Sequence, residues 1–255
     1  MLPDTRALFH LWDAQQSVAG NLTHVRQQNL LGKPSRSRVA EMLTIFRWRY
    51  LRDAATARAL ATLVQGNLPA QTLDPIFYFY AAQADALLHD VVVDLLATHH
   101  WPGQEVPTAE VYRFIAAAAS AGPGRPRGAA PTTRGQTAWS PSTTERVTQG
   151  LLSALRDFGL LTGMQRKKLA PAYLPVEAFA FIAFVLNARL HSGDAVVQSR
   201  EWRLFLLSPQ QVERLFVEAQ GHHLLTYHAA GSIVRIDFPA ATLEEYALAL
   251  AQRAR

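Results

Sequence analysis

The sequence predicts a mainly α-helical protein, a helical bundle whose C-terminal parts are winged-helix-like and carry short β-hairpins. Three observations support this fold class. Apolar residues recur at helical spacing through most of the chain. Segments rich in glycine and proline separate the periodic stretches. The second half twice shows a helix followed by a hairpin pattern, which is the skeleton of a winged-helix module.

The N-terminal half is predicted to be helical. One helix covers 36–52, where apolar residues recur on one face at i, i+3, i+4, i+7 and i+11. Its N-cap is expected at Ser35 or Ser37. The other predicted helices of this half cover residues 6–19, 53–65, 75–98 and 107–119.

A segment at 120–140 is dense in Gly, Pro, Thr and Arg, which is typical of a mobile basic linker. It divides the chain into a predicted N-terminal helical domain at 1–119 and a C-terminal helical domain at 141–255. The C-terminal domain is expected to contain two helix-plus-hairpin units.

The first of these units begins with a predicted helix at 143–158. Ser142 and Glu145 are spaced as a capping box, and Gly159 suits the left-handed residue that follows a helix. A hairpin at 160–174 comes next. Its tip carries the three basic residues Arg166, Lys167 and Lys168.

A strongly apolar helix at 175–190 leads to the second unit. Ser208 is its expected helix cap, Pro209 suits the first helical position, and Gly221 ends the helix before the hairpin. A closing helix covers 242–253. The exposed acidic residues of this unit are Glu213, Glu218 and Asp237. This second helix-plus-hairpin unit is therefore a poorer nucleic-acid candidate and a better protein-contact or structural element.

Composition excludes several classes of protein. The 255 residues are 49% hydrophobic, which indicates a globular chain with a sizeable core. Cysteine is absent, so disulfides, thiolate metal sites and cysteine nucleophiles are excluded. No signal-peptide pattern is visible, and the most apolar run, 178–186, is shorter than the about 20 residues that a membrane span needs. We therefore expect a cytoplasmic protein without a membrane partner.

The net charge of +5 is unevenly placed. Residues 24–52 and residues 120–170 each carry a net charge of +6, which leaves −7 on the remainder. Two basic segments on an acidic body suggest a polyanion as partner. Because 22 of the 25 basic residues are arginine in a chain rich in Ala and Leu, genome composition is the alternative explanation.

The first basic segment begins with Gly32-Lys33-Pro34-Ser35, which is a poor phosphate-binding loop. Pro34 separates the lysine from the serine, and no upstream glycine has the required spacing. The arginines beside the apolar stripe of the 36–52 helix either contact phosphates or lay their stems along the core edge. The candidate nucleic-acid-binding residues here are Lys33, Ser35, Arg36, Arg38 and Arg47.

The second set of candidates lies on the 143–158 helix and the hairpin after it. The exposed side chains of that helix are of types that contact base edges or phosphates, although a solvated face gives a similar pattern. A basic wing beside such a helix would lie along the phosphate backbone. These candidates are Arg146, Gln149 and Ser153 on the helix, with Arg166, Lys167 and Lys168 on the wing.

Signals for catalysis are weak. The His pairs at 99–100 and 222–223 occupy adjacent positions that face apart, and there is no His-Glu-x-x-His motif. No nucleophile elbow occurs. We therefore expect a non-enzymatic protein with no catalytic residue, metal or cofactor.

Three stretches resemble the BrxA family, components of BREX bacteriophage-defence systems. "LLGKPSRSRVAEMLTIFRWRYL" is similar to the early Lys-Ser-Arg-rich helical segment of that family. "WSPSTTERVTQGLLSALRDFGLLTG" resembles its helix that ends in a Gly-Leu-Leu turn, and "EWRLFLLSPQQVERLF" with "AAGSIVRIDF" resembles its C-terminal part. The Gly/Pro/Arg-rich segment 120–138 departs from the family pattern.

The resemblance implies a small, mostly helical DNA-binding protein that works beside other defence proteins. The residues in matching segments are Lys33, Arg36, Arg38, Arg146 and Gln149. The leading hypothesis is a non-enzymatic component of BREX-type phage defence that binds duplex DNA mainly through phosphates. The alternatives are a protein–protein scaffold or adaptor of the defence complex and an RNA-binding helical bundle of antitermination type.

Overall fold

The computed structural model describes residues 1–121, 139–231 and 233–253. Within these ranges the chain is mainly α-helical, with two short antiparallel hairpins, which confirms the predicted mainly helical class with short β-hairpins. Most of the predicted linker at 120–140 lies outside the described residues. No described helix is long and apolar enough to cross a membrane.

The helices of the first half are α1 (Leu2–His10), α2 (Val18–Gln27), α3 (Arg36–Tyr50), α4 (Ala54–Gln65), α5 (Ala70–Ala84), α6 (Ala86–Asp90), α7 (Ala97–His99) and α8 (Thr108–Ala121). A π-helical stretch, Val91–Leu96, connects α6 to α7. The later elements are α9 (Pro141–Asp157), β1 (Leu161–Thr162), β2 (Lys168–Leu169), α10 (Val176–Leu190), α11 (Gly193–Val197), a 3₁₀ turn (Arg200–Phe205), α12 (Pro209–Gly221), β3 (Thr226–Ala230), β4 (Ile233–Asp237) and α13 (Leu243–Arg253).

The single helix predicted at 6–19 is wrong. The chain forms α1, bends, and starts α2 at Val18, because Ser17 is an N-cap whose hydroxyl accepts the Gly20 N–H at 3.1 Å. Asn21 holds the bend, since its side chain accepts the Asp13 N–H at 2.8 Å and donates to the Asp13 carbonyl at 2.9 Å.

The helix predicted at 75–98 is also wrong in its bounds. α5 begins earlier, at Ala70, and ends at Ala84. Asp85 has an extended backbone and starts α6, since its carboxylate accepts the Leu88 N–H at 3.1 Å. An internal N-cap of this kind interrupts a helix even where the apolar pattern continues.

The chain divides into two compact units, each built from separated segments. The first unit comprises Met1–Ala84, Tyr173–Trp202 and Leu207–Arg255. The second unit comprises Asp85–Ala172 and Arg203–Leu206.

The first unit has an aromatic core. The Phe9 and Phe77 rings stack with centroids 5.8 Å apart, and Tyr50 meets Phe77 edge-on at 5.6 Å. Phe179 stacks on Trp202 at 4.6 Å. Phe179 lies on α10, which is buried around most of its circumference, and this explains its almost continuous apolar sequence.

The second unit has an aliphatic core. The buried residues of its helices include Val111 and Ile115 on α8 and Leu152 and Leu155 on α9. α8 and α9 pack against each other, and α9 also contacts β1. This packing determines which face of α9 is left to solvent.

Candidate nucleic-acid interface

The helix α9 is defined by a cap and an apolar stripe. Its N-cap is Ser140, whose hydroxyl accepts the Thr143 N–H at 3.2 Å, and Pro141 occupies the first turn. The predicted capping box at Ser142 is therefore wrong. Pro141 occupies N1, and the N-cap is the residue before this proline, Ser140. Gly159 has φ of +80°, as a residue that follows a helix in the left-handed region does.

The buried stripe of α9 turns a polar face outward. Leu151 and Leu155 are buried, while Arg146, Gln149 and Gly150 are exposed. The predicted partner Ser153 is only half-buried. Arg146 forms no salt bridge with any described residue, so its charge is available to a ligand.

The hairpin after α9 is short and tightly turned. Leu161 pairs with Leu169, and Thr162 pairs with Lys168. Gly163 has φ of +84°, and a Cβ there would lie 2.2 Å from the Arg166 carbonyl oxygen, so the turn requires glycine.

The basic side chains of the hairpin differ in exposure. Arg166 and Lys168 are exposed, whereas Lys167 is half-buried and its Nζ lies 3.4 Å from the Met164 carbonyl oxygen. In the described chain, no salt bridge neutralises Arg166. The hairpin therefore presents positive charge close in sequence to the outward face of α9.

A third extended segment, 104–106, pairs with the hairpin and was not predicted from the sequence. The Val106 N–H donates to the Lys167 carbonyl at 2.8 Å, and the Leu169 N–H donates to the Gln104 carbonyl at 2.9 Å. The segment precedes α8 and is too short to show strand periodicity, so no local signal could have revealed it. The second unit thus contains, in order, helices, an extended segment, α8, α9 and a hairpin.

In the first unit, the other predicted residues lie on α3 or just before it, and three of them are already engaged. Ser35 is the N-cap of α3 and accepts the Arg38 N–H at 3.2 Å. The Lys33 ammonium lies 2.5 Å from the Asp4 carboxylate, and both side chains are mostly buried. Arg38 faces Glu41 at 3.3 Å on the helix surface.

The remaining two members of this set are exposed and unpaired. Arg36 and Arg47 form no salt bridge with described residues. Arg47 also borders a small cleft of about 280 Å³ between α2 and α3, which it shares with Arg26. Arg26 was missed by the sequence analysis, because only the packing of α2 on α3 places it beside Arg47.

The predicted residues therefore fall in both compact units. Lys33, Ser35, Arg36, Arg38 and Arg47 belong to the first unit, and the residues of α9 and its hairpin belong to the second. The two sets of predicted residues therefore belong to different compact units.

The described residues contain no cluster of three or more His, Asp or Glu side chains that could hold a metal ion.

The shifted pKa values belong mainly to buried tyrosines. Burial raises the pKa of Tyr78 and of Tyr246 well above the usual range of a tyrosine. The Tyr246 hydroxyl donates to the Leu224 carbonyl at 2.8 Å, which is a structural role in the core.

A family model named BrxA matches residues 1–124 and 129–185 of this chain. The chain belongs to the BrxA family. The predicted resemblance is thereby confirmed, and membership in the BrxA family makes the protein a component of BREX phage defence. No curated protein and no solved structure matches the chain.

The match to the BrxA family covers both sets of predicted residues. Lys33 to Arg47 lie in the first matched segment, and Arg146 to Lys168 lie in the second. The unit formed by α12, β3 and β4 lies beyond the matched residues.

Proposed function

We propose that this member of the BrxA family is a non-enzymatic, duplex-DNA-binding component of a BREX-type phage-defence system. The second unit supplies the main contacts, with α9 facing a groove and the hairpin lying along the phosphate backbone. Arg36 and Arg47 of the first unit add further phosphate contacts.

One observation carries the proposal. The outward face of α9, with Arg146 and Gln149, belongs to the same unit as a hairpin whose Arg166 and Lys168 are exposed. Arginine and glutamine are among the side chains that bind base edges bidentately, and basic wings bind phosphates.

The order of elements also supports a winged-helix mode of binding. In winged-helix proteins the third helix enters the major groove and the following hairpin forms the wing. Here the extended segment 104–106 precedes α8, and α8 is followed by α9 and the hairpin. In that comparison α9 takes the place of the recognition helix.

The test is DNA affinity of the variant Arg146→Ala with Gln149→Ala, measured by fluorescence anisotropy at two salt concentrations. We expect about tenfold weaker binding or more, since a bidentate base contact contributes about 1–3 kcal/mol. Because both side chains are exposed, the free energy of unfolding should change by less than about 0.5 kcal/mol.

A matched control lies on α12, the helix that precedes the hairpin of β3 and β4. Arg214→Ala with Gln210→Ala removes the same two residue types from exposed positions of α12 and should leave DNA affinity unchanged.

Leu151→Ala should instead unfold the second compact unit, at a cost of about 2–5 kcal/mol. A stable Arg146/Gln149 variant with normal DNA binding would contradict the proposal. Competition by structured RNA better than by duplex DNA would favour the RNA-binding alternative.

The scaffold alternative has an observation of its own. The unit of α12, β3 and β4 exposes apolar side chains, with Ile233 at 72% and Val217 at 61% exposure. Glu213 and Glu218 lie on the same helix as Val217 and oppose nucleic-acid binding there. This unit is better suited to a protein contact, which is compatible with DNA binding by the second compact unit.

A further inference from the structure

A cleft of about 530 Å³ lies within the first unit, lined by residues of α3, α4, α5, α10 and α13. Its volume falls in the range of small-molecule sites, about 300–1,000 Å³. None of the predicted DNA-binding residues lines it. The cleft is therefore a feature separate from the proposed DNA interface.

The charged lining of the cleft is unbalanced. Arg49, Arg52 and Arg189 face a single acid, Asp53, which gives a net charge of +2. The Asp53 carboxylate is already engaged as the cap of α4, since it accepts the Thr56 N–H at 2.7 Å and the Thr56 hydroxyl at 2.8 Å. None of the three arginines forms a salt bridge with a described residue. An anion would satisfy them.

Two of the arginines are held in place. Arg189 Nη1 donates to the Gln83 side-chain oxygen at 2.9 Å, and the Gln83 amide in turn donates to the Glu201 carboxylate. Arg52 Nε donates to the Trp48 carbonyl at 3.0 Å. These contacts orient each guanidinium and leave its other N–H groups for a ligand.

The third arginine has an unsatisfied donor. Arg49 Nε is buried and has no hydrogen-bond partner among the described residues. Because a water-sized probe does not reach this atom, Arg49 can contact a ligand in the cleft only through its terminal N–H groups.

The remaining wall of the cleft is apolar and partly aromatic. The rings of Tyr80 and Phe184 line it, together with Leu243. Burial raises the pKa of Tyr80 far above its usual range. Aromatic walls of this kind favour a flat ring by stacking or edge contacts.

We propose that the cleft binds a small phosphorylated ligand that carries a flat ring, of the size of a mononucleotide. The phosphate is bound by Arg49, Arg52 and Arg189, because guanidinium groups match the geometry of phosphate oxygens. The ring packs on the Tyr80 and Phe184 side. Such a phosphate belongs either to a free nucleotide or to the 5′ end of a nucleic-acid strand.

The experiment measures binding of AMP, adenosine and inorganic phosphate to the full chain by isothermal titration calorimetry. We expect AMP to bind more tightly than either fragment, since only AMP satisfies both the arginines and the aromatic wall. Equal binding of AMP and adenosine, or of AMP and inorganic phosphate, would overturn the proposal.

Two variants locate the binding. Arg52→Met and Arg189→Met should each weaken AMP binding by about tenfold or more, the effect expected when a charge-assisted hydrogen bond is removed. Arg214→Met, on α12 and outside the cleft, should leave AMP affinity unchanged. Because Arg52 is exposed, its variant should fold normally, which a thermal unfolding curve checks. Undiminished AMP binding by both cleft variants would refute the site.

Competition assigns the source of the phosphate. A short single strand with a 5′-phosphate should displace AMP if the cleft takes a strand end, whereas its 5′-hydroxyl counterpart should not. Failure of both strands to compete assigns a free nucleotide. The variant Arg146→Ala with Gln149→Ala should retain AMP binding, so the two proposals fail or succeed independently.

Discussion

Two glycines illustrate how much depends on a single residue. Gly66 follows α4, and a Cβ added there would lie 2.4 Å from the Cβ of Ala251 on α13, so the close packing of these helices needs glycine. Gly150 is different, because it lies in the middle of α9, is exposed, and has open space where a Cβ would stand. A glycine within a helix costs about 0.5–1 kcal/mol relative to alanine. Nothing in the described structure requires glycine at this position. A close approach of DNA to the helix backbone would require it.

The matched substitutions Gly150→Ala and Gly66→Ala should therefore have opposite effects on stability. We expect Gly150→Ala to raise the free energy of unfolding by about 0.5–1 kcal/mol. Gly66→Ala should lower it by about 1–3 kcal/mol, the usual cost of overpacking. Urea denaturation measures both values.

The first of these variants also bears on DNA binding. Gly150→Ala should weaken it, because the added methyl group keeps the nucleic acid away from the α9 backbone. If Gly150→Ala stabilises the protein and binds DNA as well as the unmodified chain, α9 does not approach DNA at this position.

At the scale of elements, the hairpin of β1 and β2 depends on a third segment for its stability. Strand β2 is hydrogen-bonded on both sides, to β1 and to segment 104–106, so a strand of two residues is held as the centre of a small sheet. In this arrangement Lys168 lies opposite Glu105. The side chains of Arg166 and Lys167 take no part in the pairing, because only the backbone of Lys167 is used.

Neutralising Arg166 and Lys167 tests the hairpin as a wing. The variant Arg166→Gln with Lys167→Gln should keep its fold and bind every DNA sequence more weakly, by a similar factor. The slope of log affinity against log salt should shrink by about one for each phosphate that the variant no longer binds. An unchanged slope would remove the hairpin from the interface.

The control for the wing removes equal charge elsewhere in the same unit. Arg113→Gln with Arg203→Gln changes two exposed arginines that carry none of the proposed contacts. Charge reversal at Lys168 is less informative, because Lys168→Glu would set like charges opposite each other across the bridge to Glu105 and destabilise the sheet.

At the scale of the whole molecule, the basic residues proposed to contact DNA are divided between two compact units. Arg36 and Arg47 belong to the first unit, and Arg146 and Arg166 belong to the second. All four are exposed and unpaired within the described residues, unlike Lys33, whose charge is held by Asp4. Sites that share no partners usually contribute additively.

Combining the substitutions tests whether both units bind DNA. We expect Arg36→Gln with Arg47→Gln to reduce the salt slope by about two, and Arg146→Gln with Arg166→Gln to reduce it by about one, because Arg166 is proposed to bind phosphate and Arg146 a base edge. The four-residue variant should show the sum of the two reductions. A slope that changes only with the second pair would confine the interface to the second unit, and circular dichroism would establish that each variant is folded.

The sequence by itself determined most helices and their outward faces. α3, α12 and α13 lie close to their predicted bounds, because caps and apolar stripes are encoded within a few consecutive residues, as at Ser35 and Ser208. The exposure of Arg146 on α9 was predictable for the same reason, since burying Leu151 and Leu155 leaves the opposite face to solvent. Family membership also followed from these local patterns.

Only the tertiary structure decided which distant residues meet. Pairing of segment 104–106 with β2, the contact of Lys33 with Asp4, and the gathering of Arg49 with Arg189 in one cleft all join residues far apart in sequence. Contacts of this kind depend on how helices pack, and packing leaves no periodic signal in the neighbouring residues. The sequence therefore could not predict which arginines are available to a ligand. That depends on whether a carboxylate far away in sequence lies within hydrogen-bonding distance in the folded protein.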